Sequence, residues 1–261
     1  MTYASNRQLT LLRKLGRKKY RHRERLFLIE GDRAVRQILK NKVVGIEALF
    51  FDDEQDYSAQ EYWKALIETH ESALLDNRHF AEISDTKHPQ GVLALCRMPG
   101  ETSVEKMGQG RRGIIVVLDA IQDPGNLGTI IRTASWFGAA GIVSGKGTVD
   151  LFHPKVVRST AGATGVLPHL NGELPMVLAD FEKMGWNILL LDKSEASVPL
   201  ATVGRPEKTI LVVGNEAHGI DPQLLGEKRV QVEIPPAEVQ PKVESLNAAI
   251  AASIALYSLG C

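Results

Sequence analysis

The chain has 261 residues, 44% hydrophobic and 24% charged, and its Lys and Arg balance its Asp and Glu to a net charge of zero. That length buries the core of one large domain or two modest ones, and the composition is that of a globular chain rather than a disordered one. No apolar run approaches the roughly 20 residues of a membrane span, so no membrane partner is expected.

The first residues, "MTYASNRQLTLLRKLGRKKYRHRER", lack the apolar centre of a secretory signal. They are Arg-rich and carry no acid before Glu24, which keeps an organellar transit peptide as an alternative. Cys96 and Cys261 lie far apart and share no metal-ligand spacing, so no metal and no structural disulfide are expected, and a reducing compartment, the cytoplasm, is the expected location. Residues 1–40 hold twelve Lys and Arg against three acids, a local balance of +9. Such a block is the electrostatic footprint of a polyanion partner, with a solvated basic helix as the plain alternative.

The first hundred residues read as a small α/β unit. "RLFLIEG" (25–31) predicts a strand, "RAVRQILK" (33–40) a helix, "VGIEALFFD" (44–52) a strand, "AQEYWKALIETH" (59–70) a helix and "GVLALCRM" (91–98) a strand. Glycines and charges in residues 99–113 break the periodicity and mark a linker. Beyond it, strands are predicted at 113–120, 141–145, 186–192, 208–214 and 230–235, alternating with helices at 126–137, 154–161, 175–184 and 245–259. Apolar strands alternating with helices imply a parallel sheet covered on both faces.

Ligands of such sheets gather at the carboxyl ends of the strands, and three turns stand there. In "DAIQDPGNLGTIIRTA" the glycines fit neither a dinucleotide nor a P-loop fingerprint. Taken alone, Asn126 reads as a helix cap and Arg132 as a surface residue. In "GNEAHGI", Gly214 permits close approach of backbone or ligand, while Glu216 could hold a cation or favour a helix start. In "ESLNAAIAASIALYSL", Ser245 or Asn247 is a natural N-cap, and the Ala-rich helix behind can pack closely on its own sheet or on a second copy.

Together, "NLGTIIRTA", "GNEAHG" and "IP…ESLNAAIA" resemble the three ordered motifs of the SpoU (TrmH) family of RNA ribose 2′-O-methyltransferases. "KKYRHRERLFLIEG" and "KHPQGVLAL" resemble the two ends of that family's optional ribosomal-protein-like RNA-binding domain. The resemblance implies residues 1–98 as a smaller α/β RNA-binding domain, 99–113 as linker, and 114–261 as an α/β parallel-sheet domain tied in a trefoil knot. It implies S-adenosylmethionine as cofactor, a homodimer with the site near the subunit interface, and RNA as partner. The implied catalytic residues are Asn126, Arg132, Glu216, Ser245 and Asn247. The implied cofactor contacts are Gly214, Asn215, Glu216, Ile234, Ser245 and Leu246. Phosphate contacts would come from Arg13, Lys14, Arg17, Lys18, Lys19 and Arg21. The nine residues "PAEVQPKVE" (236–244), with two prolines and no glycine, make the third motif's loop longer than the usual six or so.

Methyl transfer from a sulfonium to a hydroxyl is an in-line displacement that needs no metal, and alignment alone supplies roughly 7–11 kcal/mol. Two roles stand open for Arg132: a transiently neutral base, or a cation that grips phosphate and stabilises the developing alkoxide. The resemblance implies large-subunit ribosomal RNA as substrate, since an N-terminal RNA-binding domain is more typical of the family members that act on it, with housekeeping and antibiotic-resistance roles both compatible. The alternatives are a transfer RNA ribose methyltransferase and a non-catalytic RNA-binding or ribosome-assembly protein.

Overall fold

The structure is a computed structural model that describes all residues except 87–88, 111, 205–206, 238–242 and 261. Its contacts divide the chain into two units, Met1–Gly100 with Asp150–Val166, and Glu101–Val149 with Leu167–Cys261.

The first unit runs β1 (Thr2–Tyr3), α1 (Asn6–Leu15), α2 (Lys18–Glu24), β2 (Leu26–Glu30), α3 (Asp32–Asn41), β3 (Ile46–Asp52), α4 (Glu61–Thr69), β4 (Ser72–Leu75), α5 (Asn77–Ile83) and β5 (Val92–Arg97). Its sheet has the order β1-β4-β3-β5-β2, parallel on the β1-β4-β3 side and antiparallel from β3 through β5 to β2. Successive strand residues point to opposite faces, and the two faces are covered by different helices. Phe50, Leu93 and Leu95 meet Leu9, Leu12 and Leu15 of α1 and Phe80 of α5. Phe27, Leu49 and Phe51 meet Val35 and Ile38 of α3 and Trp63 of α4.

The second unit begins with α6 (Val104–Gly108), inside the stretch expected as linker; Met107 is buried there in the core with Ile115 and Phe181. It continues with β6 (Gly113–Leu118), α7 (Pro124–Trp136) and β7 (Gly141–Ser144). The chain then departs from the expected domain boundary. Residues 150–166, with α8 (Pro154–Ser159), belong by their contacts to the first unit. The reason is an apolar anchor and a charge pair, with Val157 and Phe152 in the core around Phe27 and Asp150 against Arg21.

After this excursion come β8 (His169–Asn171), α9 (Leu174–Lys183), β9 (Asn187–Leu191), β10 (Val198–Pro199), β11 (Lys208–Val213), β12 (Val230–Glu233) and α10 (Ala248–Gly260). The sheet is wholly parallel in the order β10-β12-β9-β11-β6-β7-β8. Its central strands are unbroken apolar runs because both faces are buried. β6 and β11 pair without a register shift from Lys208↔Gly113 to Val213↔Leu118, so their carboxyl ends are level.

Arg21 was expected to contact RNA, and its burial excludes that role. Its side chain is 1% exposed. Its Nε donates to Asp150 at 3.0 Å, its Nη2 donates to the same carboxylate, and its Nη1 donates to the carbonyls of Leu15 and Gly16 at 2.9 and 3.0 Å. Arg13, Lys14, Arg17, Lys18 and Lys19 are exposed, and Arg13 pairs with Glu82 at 2.7 Å.

Burial pushes the Asp150 carboxyl up, but the hydrogen bonds and charge of Arg21 outweigh it and hold it below the usual carboxylate range. The pair therefore stabilises fully above the unfolded carboxyl value of about 3.9 and loses its contribution as pH falls through the lower folded value. Arg21→Ala is expected to cost about 3–5 kcal/mol because it strips a buried carboxylate of its guanidinium and leaves it, among the described residues, only His22 Nε2 and the Phe152 N–H, at 3.2 and 3.3 Å. In urea unfolding, Lys18→Ala should stay within about 0.5 kcal/mol of the parent, and the gap between the parent and Asp150→Asn should shrink at acid pH.

Candidate active site

The first turn leaves β6 at Asp119, which is 8% exposed and accepts the backbone N–H of Asp221 at 2.7 Å. Burial pushes its carboxyl up, opposed by that hydrogen bond. Asp123, not Asn126, caps α7, its carboxylate accepting the Asn126 N–H at 2.8 Å. Pro124 takes the first helical position, where its missing N–H and fixed φ cost nothing. Asn126 is thus inside the first turn of the helix with its amide free to project.

The second turn leaves β11 at Gly214. A Cβ there would stand 2.5 Å from the carbonyl carbon of Gly219, so only glycine lets the turn close on itself. Asn215 ties the loop. Its Nδ2 donates to the Ala120 carbonyl at 2.8 Å, and its Oδ1 accepts from the N–H groups of Ala217 and His218 at 2.9 and 3.1 Å. These bonds occupy the Asn215 side chain in holding the second turn against the first.

The third turn leads into α10. Asn247 caps that helix, its Oδ1 accepting from Ala249 and Ile250 at 3.0 and 3.2 Å. Ser245, the other cap candidate, is exposed, as is Leu246, and Ile234 is half-buried beyond β12. Of the loop 236–244, residues 238–242 lie outside the described residues.

Three of the five expected catalytic side chains meet. Asn247 Nδ2 donates to Asn126 Oδ1 at 2.9 Å, and Asn126 Nδ2 donates to Glu216 Oε1 at 2.9 Å. The polarity of this chain is forced. Asn247 spends its oxygen on the helix cap and can offer only N–H; Asn126 must then present its oxygen to Asn247 and its N–H to the carboxylate, which only accepts. Arg132 and Ser245 stand apart from this chain. Arg132 is exposed and makes no hydrogen bond or ion pair with the described residues. At about 100° per residue it lies some 120° around α7 from Asn126, on the stripe that ends in Trp136.

The residues missed in the sequence are Asp119 and Asp123, whose signal is the pair of acids framing "DAIQDPG", one at a strand end and one before Pro at a helix start. Among the described residues no group of three or more acid, His or Cys side chains could hold a metal, and no helix is long and apolar enough to cross a membrane.

Residues 113–257 match the SpoU rRNA Methylase family. The chain belongs to that family. Residues 6–94 match an MRM3-like substrate binding domain. The chain is 33% identical to RlmP of Bacillus subtilis, a 23S rRNA guanosine 2′-O-methyltransferase, over 98% of this chain and 97% of that one. It resembles the structure of a putative RNA methyltransferase of the TrmH family from Porphyromonas gingivalis with a TM-score of 0.81 and 30% identity, covering 98% of both chains. It also resembles an AdoMet-bound rRNA methyltransferase from Sinorhizobium meliloti, with a TM-score of 0.84 and 27% identity over 99% of this chain and 95% of that one.

Asn247 has two separable jobs in this SpoU site, capping α10 and fixing the Asn126 amide. Asn247→Ser keeps a capping oxygen but is too short to reach Asn126. Thermal melting should fall within about 1 kcal/mol of the parent, while methyl transfer drops about tenfold or more through the lost orientation. Equal activity in parent and variant would show that the amide chain is only structural.

Proposed function

We propose that this enzyme transfers a methyl group from S-adenosylmethionine to a ribose 2′-hydroxyl of large-subunit ribosomal RNA in the cytoplasm. The observation that carries this reading is the Glu216–Asn126–Asn247 chain, which joins one side chain from each of the three family motifs. The ribosomal substrate is supported by the RlmP likeness over nearly the whole chain and by the match of residues 6–94 to a substrate binding domain.

The residues present fit the cofactor. Half-buried Ile234 and exposed Leu246 offer apolar surface beside the carboxyl end of the sheet, and the exposed Ser245 hydroxyl makes no hydrogen bond with the described residues. The cofactor, when bound, supplies an electrophilic methyl on a cationic sulfur. The chain's own residues do the rest. Glu216 places negative charge at the turn after β11, and Asn126 is locked by two hydrogen bonds beside it. Asn215 and Gly214 shape the loop whose backbone would hold the cofactor. Arg132 acts as a cation. A guanidinium keeps its charge in proteins, and this one makes no ion pair with the described residues. It can grip the phosphate next to the target ribose and stabilise the alkoxide as the hydroxyl proton leaves to solvent. Arg13, Lys14, Arg17, Lys18 and Lys19 supply sequence-independent phosphate contacts in the first unit.

The same reading includes the trefoil knot and the homodimer. α10 is apolar on two sides. Ala249, Ala252, Leu256 and Leu259 face inward, while Ile250, Ile254 and Tyr257 remain 50%, 37% and 65% exposed along one stripe. Trp136 of α7 is 83% exposed. A helix apolar all round is one that expects cover on every side, and a second copy provides it next to Arg132.

Arg132→Ala should lower labelled methyl incorporation into large-subunit ribosomal RNA about 10²–10³-fold with the melting temperature unchanged, and Arg132→Lys should recover part of the loss. Unchanged turnover in Arg132→Ala would sink the assignment. Ile254→Glu with Tyr257→Glu should convert the dimer to monomer in sedimentation velocity and reduce turnover with it.

A further inference from the structure

The first unit carries a groove of about 710 Å³ between α3 and α4, on the sheet face opposite α1 and its basic residues. Its floor is apolar, formed by Ile38, Leu39, Val44, Ile46 and Leu66. Every charged or titratable side chain lining it, apart from the Tyr62 phenol, is basic: Arg36, Lys40, Lys42 and His70. Lys40 and Lys42 are exposed and make no ion pair with the described residues.

One wall is built in advance. Asp32 spends its carboxylate on two donors, Arg36 Nε at 2.7 Å and Trp63 Nε1 at 3.0 Å. The Arg36 guanidinium is thereby held over aromatic rings, its Cζ 4.0 Å from the Tyr62 centroid and 4.8 Å from that of Trp63. Tyr62 itself is 41% exposed. The nearest acid is consumed, so the groove presents positive charge, a stacking surface and an apolar floor within one cavity of ligand size.

We propose that this groove takes one unpaired nucleotide of the substrate RNA, its base stacked at the Arg36–Tyr62 wall and its flanking phosphates on Lys40 and Lys42. Unpaired bases are recognised by aromatic rings and guanidinium planes, and their phosphates by exposed cations. A peptide or a neutral metabolite would fit the floor but leave the cationic rim unanswered. The groove lies on the other face of the sheet from Arg13 and Lys14 of α1, so it is a second point of attachment rather than an extension of that helix. The inference rests on the reading of the chain as an RNA methyltransferase.

The test uses the full chain and large-subunit ribosomal RNA extracted from a strain lacking the gene, in filter binding across a salt series. Lys40→Gln with Lys42→Gln should make the log–log salt slope about 1.4 shallower, two single-strand phosphates' worth. Tyr62→Ala should weaken binding about 5- to 150-fold, with Tyr62→Phe near the parent, and crosslinks from 4-thiouridine-substituted RNA should map to Tyr62 or Leu39. A parent protein that binds and methylates this RNA, alongside variants with parental slope and affinity or crosslinks wholly outside the groove, overturns the groove alone. A parent that neither binds nor methylates the RNA overturns the methyltransferase reading and the groove with it.

Discussion

The site hangs on one side-chain amide. Asn126 has one acceptor and one donating group to share between Asn247 and Glu216, which lie 121 and 90 residues away in sequence. Neither partner leaves it a choice of orientation, because a helix cap fixes one and the charge of a carboxylate fixes the other. The amide can sit there only because Asp123 has taken over the capping of α7. It meets Glu216 only because β6 and β11 run side by side in straight register, bringing their carboxyl-end turns to the same level. The Asp119–Asp221 and Asn215–Ala120 bonds then stitch those two turns together. Sheet register, two caps and one glycine close-packed against backbone are thus the conditions for a single polar chain.

α10 shows how the same sequence serves packing and chemistry together. Small residues on its inner side let it lie close to α7, where Ser253 Oγ reaches Thr133 Oγ1 at 3.2 Å. That close approach repeats one helical stripe along from the Asn126–Asn247 bond, since Thr133 follows Asn126 by seven residues. Of the outer stripe, only the Tyr257 ring meets the α7 end, at Phe137 with centroids 6.1 Å apart, and a buried-core explanation does not cover the exposure of Ile250, Ile254 and Tyr257. The alanines visible in the sequence foretell tight packing; they do not say that a second apolar face is left over.

Much of this was legible beforehand. The apolar runs of β6, β9 and β11 announce a parallel sheet, and the placement of three unusual turns at strand ends announces one site. Short elements were not legible. β1, β8 and β10 have two or three residues each, too few to show any period. α1 is different, because its signal was present: Ser5 and Gln8 form a capping box, and Leu9, Leu12 and Leu15 recur at helical spacing. The surrounding cations masked it. The return of residues 150–166 to the first unit had no signal of its own, since Val156 and Val157 would suit either core.

Arg21 explains why a charge count misleads at this level. A surplus of +9 over residues 1–40 is real, yet it says nothing about which cations are spent inside the protein. Arg21 answers to Asp150, Arg13 to Glu82, Arg23 to Glu24 and Arg36 to Asp32. Only the first of these pairs is buried, and burial decides its character, because a guanidinium without water must find every partner within the fold. The exposed pairs can open toward a polyanion at little cost. The basic segment therefore divides by solvent access into one structural cation and several available ones. A different criterion, pairing, separates Arg36, held by Asp32 beside its rings, from Lys40 and Lys42.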